Sequence, residues 1–236
     1  MTNLTVDQLR QLNMYSIYTE LPERKLFTLE TLLDADKIED VLNVIQAVSG
    51  SPNRAVAASY FMRRLGMFVA MQFTNLATYD EVWDGYPDRL LFGAKEEYGK
   101  LAVSTFASAN DWRSVEDDER REVIKQILVE QCSAVIKQLR TVSSVSPLTL
   151  WENIFGFLLW QYHVLLSNPG TAEEARADFD MLKDDALWEG IAPRSLFATY
   201  LKGCEPSALL NTEVRTTCCF SKDVPGLIQC GFCPLK

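Results

Sequence analysis

Residues 54–73 read RAVAASYFMRRLGMFVAMQF. Apolar side chains fall at most positions, so one face of a helix cannot account for them. A helix that is apolar around much of its circumference belongs at the centre of a fold, packed on several sides. The stretch therefore predicts a mainly helical protein built around one buried helix. Just before it, DADKIEDVLNVIQAVSG (34–50) reads as a helix closed by Gly50. Ser51 and Pro52 then read as the cap and first-position proline of the central helix. Further back, Thr5 and Gln8 have the spacing of a capping box.

The stretch after the central helix changes character. RLLFGAKEEYGKLAVSTF (89–106) holds two short apolar runs around a polar, glycine-containing middle, which predicts a β-hairpin. Ser114, with Asp117 three residues on, reads as the next helix start. Ile124, Ile127, Leu128, Val135 and Leu139 follow at helical spacing, and Cys132 shares their face as a small core thiol. Ser146 opens a helix that runs to Pro169–Gly170, and Thr171 with Glu174 opens the last long one. The expected class is mainly α with a small antiparallel β-sheet. The expected division is a body over residues 1–189 and a segment of low periodicity over 190–236. With prolines at 193, 206, 225 and 234 and little apolar pattern, that segment is not expected to order itself by burial alone, and bound metal can supply the rest.

The chain has 236 residues, long enough to bury a sizeable core without staples. Its 23 basic and 32 acidic residues leave a net charge of −9, which disfavours nucleic acid and anionic lipid. The first twenty residues lack the basic start and apolar run of a signal peptide. The most apolar stretch, IFGFLLWQYHVLL (154–166), is too short to span a membrane and holds Gln161 and His163. The expected location is the cytoplasm, where thiols stay reduced and dense cysteines point to metal rather than disulfides.

Four of the six cysteines are crowded into RTTCCFSKDVPGLIQCGFCPLK (215–236), as Cys218, Cys219, Cys230 and Cys233. Four thiolates are a full ligand set for zinc or for a 2Fe-2S cluster. Cys230 and Cys233 have the two-residue gap common in zinc sites, but Cys218 and Cys219 are adjacent. Adjacent side chains of an extended chain point to opposite sides, so convergence on one small ion strains the backbone. A dinuclear cluster spreads its ligand positions over two irons, which tilts the reading toward iron–sulfur and leaves zinc open. Pro225–Gly226 is a turn signal that would bring Cys230 back beside Cys219. Arg215 and Lys222 flank the pair and would raise the potential of an anionic cluster.

The motif Cys-Cys-x10-Cys-x2-Cys, its R-x-x-C-C lead-in at Arg215 and its C-G-x-C-P-L ending at Cys230–Leu235 resemble those of the FhuF-like ferric siderophore reductases. The resemblance covers about the last twenty residues. It implies one 2Fe-2S cluster on the four cysteines and a body similar to the C-terminal part of the citrate-type siderophore synthetases. It also implies one-electron reduction of a ferric siderophore, of hydroxamate or citrate type, with release of Fe(II). No G-x-G-x-x-G or phosphate-binding loop is present, so electrons would come from an external protein such as a ferredoxin or flavodoxin. Function would place the protein in the cytoplasm or peripherally at the inner face of the cell membrane. Arg215 and Lys222 are the expected substrate-side cations. The rival readings are an iron–sulfur electron carrier or redox sensor, and a zinc-stabilised binding module. His163, Trp151, Trp160, Tyr162 and Trp188 read as core residues, and Glu173–Glu174 and Asp184–Asp185 as solvated helix faces.

Overall fold

The computed structural model describes residues 4–97 and 99–235; residues 1–3, Tyr98 in the expected hairpin turn and Lys236 lie outside the described residues. The elements in chain order are α1 (Val6–Met14), β1 (Ile17–Tyr18), β2 (Lys25–Thr28), α2 (Leu29–Leu33), α3 (Ile38–Ser49) and α4 (Arg54–Tyr79). There follow β3 (Glu81–Trp83), β4 (Leu90–Glu97), β5 (Lys100–Ala107), β6 (Trp112–Ser114) and α5 (Arg120–Gln126). A π-helical stretch, Ile127–Ser133, joins α5 to α6 (Ala134–Val142). Then come α7 (Pro147–Ser167), α8 (Ala172–Lys183), α9 (Leu196–Leu201) and α10 (Pro206–Leu209).

The central helix is α4, 26 residues long and buried along most of its length. Its main partner is α7. Ser59 meets Asn153, Gly66 meets Ile154 and Thr74 meets Gln161, so the two helices run parallel. They come closest at Gly66, where a Cβ would sit 3.0 Å from the Ile154 Cα. Gly50 does close α3 in the left-handed conformation, and the Thr5–Gln8 capping box is formed.

Three helix starts differ from expectation. Asn53, not Ser51, caps α4, its side chain accepting from the Val56 amide. Ser114 is in β6, and α5 begins only at Arg120 without a side-chain cap. Thr171 does precede α8, but its hydroxyl donates back to the Leu165 carbonyl instead of capping. Ser51 instead bonds to the Ser49 hydroxyl and Thr171 to the Leu165 carbonyl, partners that compete with the backbone each was expected to cap.

The hairpin forms as β4 and β5, from Leu90↔Ala107 to Glu97↔Lys100. The sheet is mixed rather than antiparallel. Its order is β1-β5-β4-β2, and the two residues of β1 run parallel to β5. A two-residue strand is too short to leave an alternation to read. β3 and β6 make a separate antiparallel pair. The sheet meets α4 through Phe92, which stacks on Phe27 and takes the edge of Phe61.

The segment after Gly190 is ordered partly by burial. Phe197, Leu201, Val214 and Val224 join the core. Phe197 packs against the rings of Phe155, Tyr162 and Phe179. These apolar residues are too widely spaced to make a periodic pattern. Among the described residues, no helix is long and apolar enough to cross a membrane.

Candidate metal centre

The segment that carries the cysteine pair is tied down before the pair begins. Glu152 of α7 is 2% exposed. Its Oε1 accepts from the amide and hydroxyl of Thr216, and its Oε2 from the amide and hydroxyl of Thr217. Arg215 is buried beside it, donating to the carbonyls of Thr149, Glu152 and Thr217. Ser59 of α4 donates to the carbonyl of Cys219 at 2.8 Å. Asn153 in turn donates to Ser59. The parallel α4–α7 pair thus grips residues 215–219 from two sides.

Cys218 and Cys233 share one local geometry. The amide of Phe220 donates to the Cys218 sulfur at 3.3 Å and that of Leu235 to the Cys233 sulfur at 3.4 Å. At Cys219 and Cys230 the backbones of Ser221 and Phe232 act in the same direction, favouring thiolate. In the first two, the sulfur meets the main-chain N–H two residues on. Such bonds favour thiolate over thiol and tune a bound cluster. After the pair, Phe220 turns the chain with a φ of +55°.

Cys219 and Cys230 are close enough to act on each other's ionisation, which agrees with the return expected of the Pro225–Gly226 turn. The Cys230 thiol holds Cys219 down to about 5, against the opposing effect of burial and with help from the Arg63 cation. The Cys219 sulfur in turn pushes Cys230 up. Cys218 and Cys233 are not yet gathered with them. Among the described residues, no three Cys, His, Asp or Glu side chains already converge as a metal-binding group. Cys132 is fully buried, where desolvation pushes its thiol up, and Cys204 is exposed.

The donors fit an anionic thiolate-bound group. Two cations, Arg63 and Arg215, act on Cys219. The Tyr200 hydroxyl is buried with no hydrogen-bond partner among the described residues, and it lies close enough to Cys230 to interact with its charge. A buried donor without an acceptor costs about 1–3 kcal/mol. An extra sulfur acceptor beside Cys230 would remove that cost.

Two cavities are separated by Arg63 and Phe157, which line both, and the first of them is also lined by a cysteine. One, of about 350 Å³, is bounded by Tyr15, Trp160, Phe232, Arg215 and Cys230. The other, of about 460 Å³, is bounded by Tyr60, Arg64, Lys100 and Val224–Leu227. Trp160 is therefore not the core residue expected but a half-exposed wall of the smaller cavity. Trp151, Tyr162 and Trp188 are core, as expected. His163 is only half-buried, and its Nδ1 has no partner among the described residues. Glu173–Glu174 and Asp184–Asp185 are exposed.

Of the two substrate-side cations read from sequence, Arg215 lines the smaller cavity with much of its guanidinium committed to carbonyls. Lys222 is exposed and has no ion pair among the described residues. Sequence reasoning missed Glu152, Ser59 and Arg63. The only signal in the sequence was that each is a polar residue inside an otherwise apolar helix. No protein-family model matches this chain, and no curated protein matches it at a significant level.

Proposed function

We propose that Cys218, Cys219, Cys230 and Cys233 hold one 2Fe-2S cluster, and that the protein is a ferric siderophore reductase. The observation that carries the reading is the amide-to-sulfur bond at Cys218 and at Cys233, with Cys219 and Cys230 near enough to act on each other's charge. The terminal motif's resemblance to the FhuF-like reductases supplies the substrate class, a ferric hydroxamate or citrate-type chelate.

When bound, such a cluster supplies one electron at a time. The chain's own residues do the rest. The main-chain amides stabilise sulfur negative charge, and Arg63 and Arg215 offset it. Glu152 and Ser59 hold the pair in place. The cavity beside Cys230 brings a chelate within short reach of the site. There Fe(III) gains one electron and becomes Fe(II), which hard oxygen donors hold far more weakly. The electron comes from an external protein donor. Arg215 contributes mainly its field, while Lys222 is free to meet an anion. The chemistry needs no acid, base or nucleophile.

The test is the purified full chain. The expected preparation is coloured, with iron and acid-labile sulfide in equal amounts and an EPR signal after dithionite reduction. The reduced protein is then oxidised stoichiometrically by a ferric chelate. A colourless protein with one zinc per chain would overturn the cluster, and a stable reduced cluster that ignores ferric chelates would leave an electron carrier. Serine at each of the four cysteines should abolish or cripple the chromophore, while Cys204→Ser and Cys132→Ala retain it. Loss in Cys204→Ser with retention in Cys219→Ser would refute the ligand assignment.

A further inference from the structure

Arg63 is placed unlike any other cation among the described residues. It stands on α4, inside the wall between the two cavities. Its Nη1 lies 3.6 Å from the Cys219 sulfur and also donates to the Ser221 hydroxyl. Among the described residues no carboxylate pairs with it, whereas its neighbour Arg64 is paired with Glu97 at 2.6 Å. The other guanidinium at the smaller cavity, Arg215, has Glu152 at 3.8 Å to offset it. Of the two guanidiniums at this cavity, Arg63 is therefore the one with no carboxylate partner among the described residues. The rest of its wall is largely aromatic, from Tyr15, Phe157, Trp160 and Phe232. Asn153, Gly156, Phe157 and Trp160 recur at three- and four-residue intervals and so present one face of α7 to the cavity.

We infer that this cavity is the chelate site, and that Arg63 makes it selective for ferric chelates carrying carboxylate charge over neutral ones. The inference rests on the reductase reading and narrows it from hydroxamate or citrate type to the anionic, citrate type. A guanidinium suits this role because its planar fork can engage a carboxylate with two N–H groups. The aromatic walls cover the carbon frame of the ligand and exclude water, which strengthens that contact. Cys230 on the same wall places the chelate against a proposed ligand sulfur. Arg63 is thus a specificity residue for substrate and a tuning residue for the site, through one side chain.

Binding can be separated from reduction with gallium(III), which is not reduced. The full-length loaded protein is titrated with gallium citrate and with a neutral gallium tris-hydroxamate, following calorimetric heat. Wild type should bind the citrate complex more tightly. Arg63→Gln should weaken citrate binding by about tenfold, the effect of one charge-assisted hydrogen bond, and change hydroxamate binding by less than about twofold. Arg63→Lys keeps the charge without the fork and should fall between. Trp160→Ala, on the exposed rim, should weaken both ligands equally and fold normally. Arg63→Gln should also shift the reduction potential to more negative values, which a merely structural loss would not do selectively. Equal effects of Arg63→Gln on both chelates, or none from either variant, would overturn the inference while the cluster and reductase activity stood. Absence of a cluster, or failure to reduce any ferric chelate, would overturn the underlying reading instead.

Discussion

Glu152 ties the cysteine segment to α7. Its two oxygens accept from four donors on Thr216 and Thr217. A glutamine would turn one acceptor into a donor facing donors and remove the countercharge of Arg215. Glu152→Gln should lose about 3 kcal/mol in urea unfolding and most of its bound iron. Unchanged stability and iron content would show that residues 215–219 are held by other means. A second carboxylate gives a pH test. Burial works against the charge of Glu97, but Arg64, with Ser16 and Ser104, holds its pKa below the usual carboxylate value. A depressed folded pKa contributes stability above the unfolded value, and that contribution is lost as pH falls through the folded one. Glu97→Gln should therefore lower Tm near pH 7, with the gap to wild type closing below about pH 4. A gap that widened in acid would contradict the Arg64 pairing. The cysteines were legible in the sequence because motif ligands lie within sixteen residues of one another. Arg63 was not, because its contact with Cys219 bridges 156 positions of chain.

At the scale of elements, the pairing of α4 with α7 decides where the site can be. Gly66 sits at their closest approach. A Cβ there would meet the Ile154 Cα at 3.0 Å and the Asn153 carbonyl at 3.1 Å. Both are backbone atoms, which cannot swing aside. Alanine gains about 1 kcal/mol of helix propensity but loses about 1–3 kcal/mol to overpacking. Gly66→Ala should thus lower the urea midpoint, and the shift should loosen Asn153 and Ser59 with it. A raised midpoint would mean that the helices separate freely. The long helices were legible because burial on many sides writes itself into a run of apolar residues. The start of α5 was not, since Ser114–Asp117 imitates a cap while β3 offers Ser114 a strand partner. β1 was invisible for want of length, and with it the mixed character of the sheet.

At the scale of the molecule, the 190–236 segment belongs to the core through Phe197, Leu201, Val214 and Val224 and to the site through its cysteines. Loss of metal should therefore reach the global stability. A chelator-stripped sample should melt several degrees below the loaded one, while far-ultraviolet circular dichroism near 20 °C stays nearly unchanged, because α4 and α7 do not depend on the thiolates. Loss of helical signal on stripping would show that metal and body fold as one unit.

The two halves of the cysteine set are supported unequally. Cys219 is anchored through Ser59 and, via Thr216 and Thr217, through Glu152. Cys230 and Cys233 lie on a stretch that exposes Ile228 at 85% and Leu235 at 57%. The first half is therefore anchored by α4 and α7, while the second, although Cys233 is buried and Phe232 packs on the core, ends in exposed chain. Metal would be received on the Cys218–Cys219 side and enclosed when residues 228–235 fold over it. Amide exchange in the stripped protein should then be fast across 228–235 and slow across 215–219, and filling the site should slow only the former.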